Sequence, residues 1–108
     1  MKKKQATKAR AMKKSNPEHA GYRLPFGVGD AIFVRTVTHY QVGRVTEIGP
    51  DSITLEDASW VADTERLSVT FATGALREVE RCPSWIMIGR GAIVDVFPWA
   101  HALPKETK

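Results

Sequence analysis

Three histidines, one cysteine and twelve carboxylates are the residues of this chain that could carry acid–base, nucleophilic or metal chemistry. Nucleophilic catalysis needs a base within reach of a Ser, Cys or Thr, and a third group to orient that base. His19 lies in a basic N-terminal stretch, His39 at a hairpin and His101 near the C-terminus, and no nucleophile-elbow motif stands beside any of them. Each reads as a surface or turn residue. Cys82 has no metal-ligand spacing around it and reads as a small buried or half-buried apolar residue. A single cysteine excludes a disulfide framework within one chain, which points to a cytoplasmic setting. Glu56 and Asp57 are adjacent acids, but neighbours on a strand point to opposite faces and do not share a ligand set. The glycines at 27, 29, 89 and 91 neither open a helix nor carry a Lys-Ser or Lys-Thr, so they do not form a phosphate loop. The chain is therefore expected to be no enzyme and to hold no cofactor and no metal.

Charge is the stronger signal. Residues 1–14 hold Lys2, Lys3, Lys4, Lys8, Arg10, Lys13 and Lys14 and no acid, which is +7. Residues 15–108 hold the other nine Lys and Arg against all twelve Asp and Glu, which is −3, and the whole chain stands at +4. A basic arm on a mildly acidic body suits a polyanion, an acidic surface on a neighbouring subunit, or simple solubilisation. No window holds the roughly 18 apolar residues of a membrane span, and no apolar stretch follows the cationic start, so neither membrane contact nor a secretory signal is expected.

The elements that would position these residues are short strands. Residues 1–22 read as a flexible basic tail, ended by Asn16-Pro17 and followed by an entry segment in which Leu24 and Phe26 plug the fold from below. From Asp30 the apolar period becomes two, which predicts strands over 31–39, 42–48 and 53–61. Tyr40-Gln41 reads as the first hairpin connection and Gly49-Pro50-Asp51-Ser52 as a turn. Residues 62–76 lose the alternation, and Asp63-Thr64-Glu65 reads as the cap of a short helix. Strand character returns over 77–80 and 85–89, broken at Cys82-Pro83-Ser84, and again over 92–97. The sum is one all-β domain over residues 23–98, a strongly bent five-stranded antiparallel small barrel, with a C-terminal tail over 99–108.

Two segments resemble a known family. Residues 43–58, GRVTEIGPDSITLEDA, resemble the first motif of the Sm and Sm-like (LSm) proteins, with Gly43, Val45, Ile48, Ile53, Leu55 and Ala58 in the expected places. Residues 88–96, IGRGAIVDV, resemble the second motif through Arg90, Gly91, Val94 and Val96. The resemblance covers about residues 30–98. It implies a five-stranded bent sheet whose fourth strand pairs with the fifth strand of the next subunit, closing rings. It also implies an RNA site in the ring's lumen, which here would be the turn Pro50-Asp51-Ser52 together with Arg90. That turn departs from the family: it is one residue short, Ser52 stands where asparagine is usual, no aromatic is present to stack on a base, and Asp51 would repel phosphate. The run RTVTHYQVGRVTEIGPDSITLEDASWVADTERLS also resembles short, mostly unassigned bacterial and phage-related proteins, a likeness that names no activity.

Two functional readings follow. The first is a self-assembling structural protein, a homo-oligomeric ring that stacks into tubes or filaments, with Ala92, Ile93, Val94, Asp95, Val96, Trp85 and Trp99 at the subunit interface. Tryptophan anchors interfaces, and Trp99 is expected to pack on a neighbour. The second is a nucleic-acid-binding ring whose contacts are the seven tail cations, with Ser52 and Arg90.

Overall fold

Alternation of β-branched and aromatic residues sets the strands. The structure, a computed structural model, describes residues 24–108. The basic tail, with Lys2, Lys3, Lys4, Lys8, Arg10, Lys13, Lys14 and His19, lies outside the described residues. In chain order the elements are β1 (Ala31–Thr36), β2 (Tyr40–Ile48), β3 (Ser52–Thr64), α1 (Leu67–Thr73), β4 (Leu76–Arg81), β5 (Ile86–Gly89), a 3-10 turn (Arg90–Ala92) and β6 (Ile93–Pro98). No helix among the described residues is long and apolar enough to cross a membrane.

The strands form one antiparallel sheet in the order β4-β3-β2-β1-β6, with β5 also on β3. Where the sequence predicts five strands in a barrel, six are present and the sheet is not closed: no strand pairing joins β6 to β4 or β5. The sixth strand comes from the break at Cys82-Pro83-Ser84. β4 lies along Ser59–Thr64 of β3, and β5 lies along Ser52–Leu55 of the same strand. Proline cannot donate to a ladder, so the pairing stops and restarts around it.

Three further boundaries differ from the sequence reading. β1 ends at Thr36 and not at residue 39, because the Thr36 hydroxyl donates to the His39 carbonyl (2.8 Å) and the Thr36 amide donates to the same oxygen (2.9 Å). The hairpin tip is therefore Val37-Thr38, and Tyr40-Gln41 already belongs to β2. β3 runs on to Thr64, so Asp63-Thr64-Glu65 does not cap the helix; α1 starts after Arg66 with no side-chain cap. Asp63 and Glu65 instead face Arg77, at 3.5 and 3.9 Å.

Both faces of the sheet are buried, each by a different device. One cluster gathers Ile32, Val34, Val45, Ile53, Leu55, Ala58, Cys82 and Ile88, with Phe26, Ile86, Ile93 and Val96 packed on it. β5 and β6 are far apart in strand order, yet both reach this cluster, so the sheet curls over its own face. Of the two residues expected to plug it, Phe26 packs on this cluster and Leu24 belongs to neither cluster. Burial pushes the Cys82 thiol up from its ordinary pKa, which suits its role as core filler. The opposite face carries Phe33, Val42, Val61, Leu76 and Val79, and is covered by α1 through Phe71 and by the C-terminal segment through Trp99 and Leu103.

The curl depends on a bulge between β2 and β3. Val42 pairs with Ser59 and Arg44 with Glu56, so Gly43 stands opposite two residues, Asp57 and Ala58. A Cβ on Gly43 would sit 3.0 Å from the Ala58 Cβ and 3.2 Å from the Glu56 carbonyl oxygen. Asp57 takes φ 50°, and it is the one non-glycine with positive φ among the described residues. Gly43→Val should therefore cost about 1–3 kcal/mol. At exposed Asp57, a valine should cost about 1–2 kcal/mol and a glycine should cost nothing, because only the β-branched side chain opposes positive φ. Denaturant midpoints measure all three; equal midpoints for Gly43→Val and wild type would refute the close approach.

Candidate assembly edges and the Ser52–Arg90 turn

A sheet that does not close has two edges, and their backbone groups need partners. Antiparallel ladders alternate, so one known bond fixes which residues point inward and which outward. On β5, the Arg90 amide donates to the Asp51 carbonyl (2.8 Å), the next rung of the register that pairs Gly89 with Ser52. Ile88 and Ile86 therefore bond to β3, while Met87 and Gly89 turn their N–H and C=O outward. On β4, the Cys82 amide donates to the Ala58 carbonyl (3.0 Å), which leaves Arg81 and Val79 outward. On β6, the Trp99 amide donates to the Ala31 carbonyl (3.1 Å), which leaves Pro98 and Val96 outward, and Pro98 has no N–H.

The outward groups meet different fates. Both of those on Val79 and the amide of Arg81 are taken within the chain. The Val79 amide donates to the Lys108 carbonyl (2.9 Å), the Lys108 amide donates to the Val79 carbonyl (2.8 Å), and the Arg81 amide donates to Thr107 Oγ1 (3.0 Å). Among the described residues β5 pairs with β3 alone and β6 with β1 alone, so the outward groups of Met87 and Val96 and the Gly89 amide meet no strand, while the Gly89 carbonyl serves the 3-10 turn that Gly89 caps. Trp85 and Met87 beside the β5 edge, and Val94 on β6, are large apolar side chains left 60, 61 and 54% exposed. Among the described residues, two unlike apolar-flanked edges are thus without a strand partner.

Among the residues expected at the interface, Ile93, Val94, Asp95 and Val96 lie on β6, whereas Ala92 lies in the preceding 3-10 turn. Trp99 does not face outward as expected. It is 5% exposed, stacks on Phe33 (ring centroids 5.7 Å apart, 21° between planes), and donates from Nε1 to the Ala102 carbonyl (3.2 Å). The wide apolar face beneath it needed a lid, and the chain supplies one. Asp95 is engaged by Arg35 on β1, directly opposite in register, through Nε–Oδ1 at 3.0 Å and Nη2–Oδ2 at 2.6 Å. Hydrogen bonding from Arg35 holds the Asp95 carboxyl below its ordinary pKa and raises that of the guanidinium.

Ser52 and Arg90 are brought together. Ser52 pairs with Gly89, and Arg90 Nη1 donates to the carbonyls of Gly49 (3.0 Å) and Pro50 (3.4 Å). The guanidinium therefore ties the β2–β3 turn to the turn before β6. Asp51 is exposed at the tip and no aromatic residue lies in the turn, so the pair has a hinge of carbonyls and no base-stacking platform. Among the described residues no group of three His, Cys, Asp or Glu is placed to hold a metal ion. The sequence reading missed the Arg35–Asp95 pair and the Thr107–Lys108 contacts. Opposite charges on two apolar strands hinted at the first; the second runs mainly through backbone atoms and left no signal.

No family model matches the chain, and neither the curated proteins nor the solved structures hold a match to it.

The Asp95 shift fixes a sign. A carboxyl whose pKa falls on folding adds stability above its unfolded value, near 3.8, and loses it as pH drops through the lower folded value. Wild type should therefore exceed Asp95→Asn in stability at neutral pH by a small margin, since the pair is exposed. The margin should shrink below pH 3.8. Thermal melts of both proteins across that range measure it, and a margin that grows on acidification would contradict the pairing.

Proposed function

We propose that this chain is a structural subunit of Sm-like build that assembles with copies of itself into rings. The outer edge of β5 on one copy pairs with the outer edge of β6 on the next. Head-to-tail pairing of unlike edges closes a ring when the rotation per subunit permits, and gives a filament otherwise. The observation that carries the reading is the contrast between edges among the described residues: β4 is held by Thr107 and Lys108, while the outward groups of Met87 and Val96 meet no strand. The exposed Trp85, Met87 and Val94 supply the apolar contact that such a joint needs. The strand order supports the family resemblance, since β4 and β5 together occupy the place of one long bent fourth strand beside β3, and β6 the place of the fifth. The curl of the open sheet around Gly43 is in keeping with the strong bend that the resemblance implies. Rings of this kind stack into tubes in the reading, with the basic arm clasping the acidic body of an adjacent ring. No residue is assigned a catalytic role.

A second reading keeps the ring and gives it a nucleic acid. It rests on the +7 carried by residues 1–14, since the remainder is −3 and the Ser52–Arg90 turn lacks a stacking residue. Phosphate contacts from such an arm would give a log–log salt slope of roughly −3 to −6 and little sequence preference.

One experiment treats both. Purified protein, with and without nuclease, is sized by light scattering and imaged by negative stain. Rings that persist after nuclease, carrying no nucleic acid, are the expected result. Val96→Pro removes an outward amide and leaves the β1 ladder intact, and it should reduce the assembly to monomers. A folded Val96→Pro protein that stays fully oligomeric would sink the edge pairing. Assemblies that fall apart with nuclease would favour the second reading.

A further inference from the structure

The C-terminal residues do more than cover a core face. Trp99 anchors the segment on Phe33, and His101 Nε2 bonds the Phe71 carbonyl at 2.8 Å. Gly74, which ends α1 at φ 81°, leaves the space in which His101 sits; a Cβ there would come within 2.8 Å of the ring. Beyond Leu103 the chain reaches the outer edge of β4, where Lys108 takes both outward groups of Val79 and Thr107 takes the Arg81 amide. The segment is a poor template for any further strand, because it carries Pro104, Lys105, Glu106 and Lys108. Proline and charge are the usual means of blunting an edge.

We propose that residues 99–108 form an edge guard: a strap that occupies β4 in cis and so denies that strand to other chains. β4 and β5 lie end to end along β3 and together would offer one continuous edge. The guard closes the β4 half alone. A partner strand is thereby confined to Ile86–Gly89, and a second copy cannot slide along into the β4 half or pair with β4 itself. The guard does not depend on the ring, since it would prevent β4-to-β4 association in a chain that never assembled.

The test compares the full chain with two variants. Lys108→Pro combined with Thr107→Val removes two of the three strap bonds; deletion of residues 104–108 removes all three while keeping Trp99, His101 and Leu103. Circular dichroism selects the variants that keep the strand signal, and the milder one serves if the deletion fails to fold. Wild-type, Val96→Pro and strap-loosened proteins are then sized across a concentration series. The expected result is new, larger species in the strap variants, at least doubling the mass. These should also appear when Val96→Pro has blocked the other joint. In dilute samples the Val79 and Arg81 amides should exchange about tenfold faster or more than in the full chain. A folded strap variant with the wild-type mass distribution at every concentration would overturn the guard. So would unprotected Val79 and Arg81 amides in the full chain. Loss of assembly in Val96→Pro alone speaks to the ring and not to the guard, so the two ideas can fail separately.

Discussion

Unpaired backbone groups at a sheet edge are the constraint on which the rest of this structure turns. An N–H or C=O left without a partner away from water costs about as much as a lost hydrogen bond, and left in water it recruits other strands. An open six-stranded sheet carries such groups along two edges. Among the described residues, Thr107 and Lys108 take most of those on β4, Pro98 shortens the β6 edge, and the outer sides of β5 and of the middle of β6 meet no strand. That uneven treatment is hard to explain as general protection. The proposed self-pairing treats it as one pair of edges kept for a partner.

The edges can be offered only because both faces are already secured. A domain of this size has little core to spare, and a flat sheet would leave one face wet. Here Gly43 and Asp57 admit a bulge that lets β2 and β3 curl, so that β5 and β6 both reach the Ile32–Val34–Leu55 face. The outer face is covered by α1 and by Trp99. Trp99 thus links the two requirements: its burial closes the second core and launches the segment that later guards β4.

Much of this was legible in the sequence, and the reasons are local. Alternating Ile, Val, Phe and Thr marked β1, β2 and β3; Pro83 marked the break between β4 and β5; Gly43 marked the bend. The place of Phe26 and the meeting of Ser52 with Arg90 also follow from the order of motifs. What was not legible depends on distant partners. Alternation runs on through Val37, so the end of β1 is visible only once the Thr36 hydroxyl is seen bonding the turn. The Arg35–Asp95 pair depends on the register of two strands sixty residues apart. Residues 99–108 have no period, and their contacts are mostly backbone bonds and a buried tryptophan, so they looked like a tail. Trp99 is expected from its type on a neighbouring subunit, and it is buried against Phe33 of its own chain instead.

The claim at the centre is that two unlike edges join copies of this chain. Complementation tests it most directly. Met87→Pro disables the β5 edge and keeps β6; Val96→Pro disables β6 and keeps β5. Each protein alone should be monomeric, and an equimolar mixture should give a discrete heterodimer, since one good edge of each kind remains and no third subunit can add. Mass measurement by light scattering or native mass spectrometry reads the answer. A mixture of folded variants that stays monomeric, or either variant alone forming the wild-type assembly, would contradict the account.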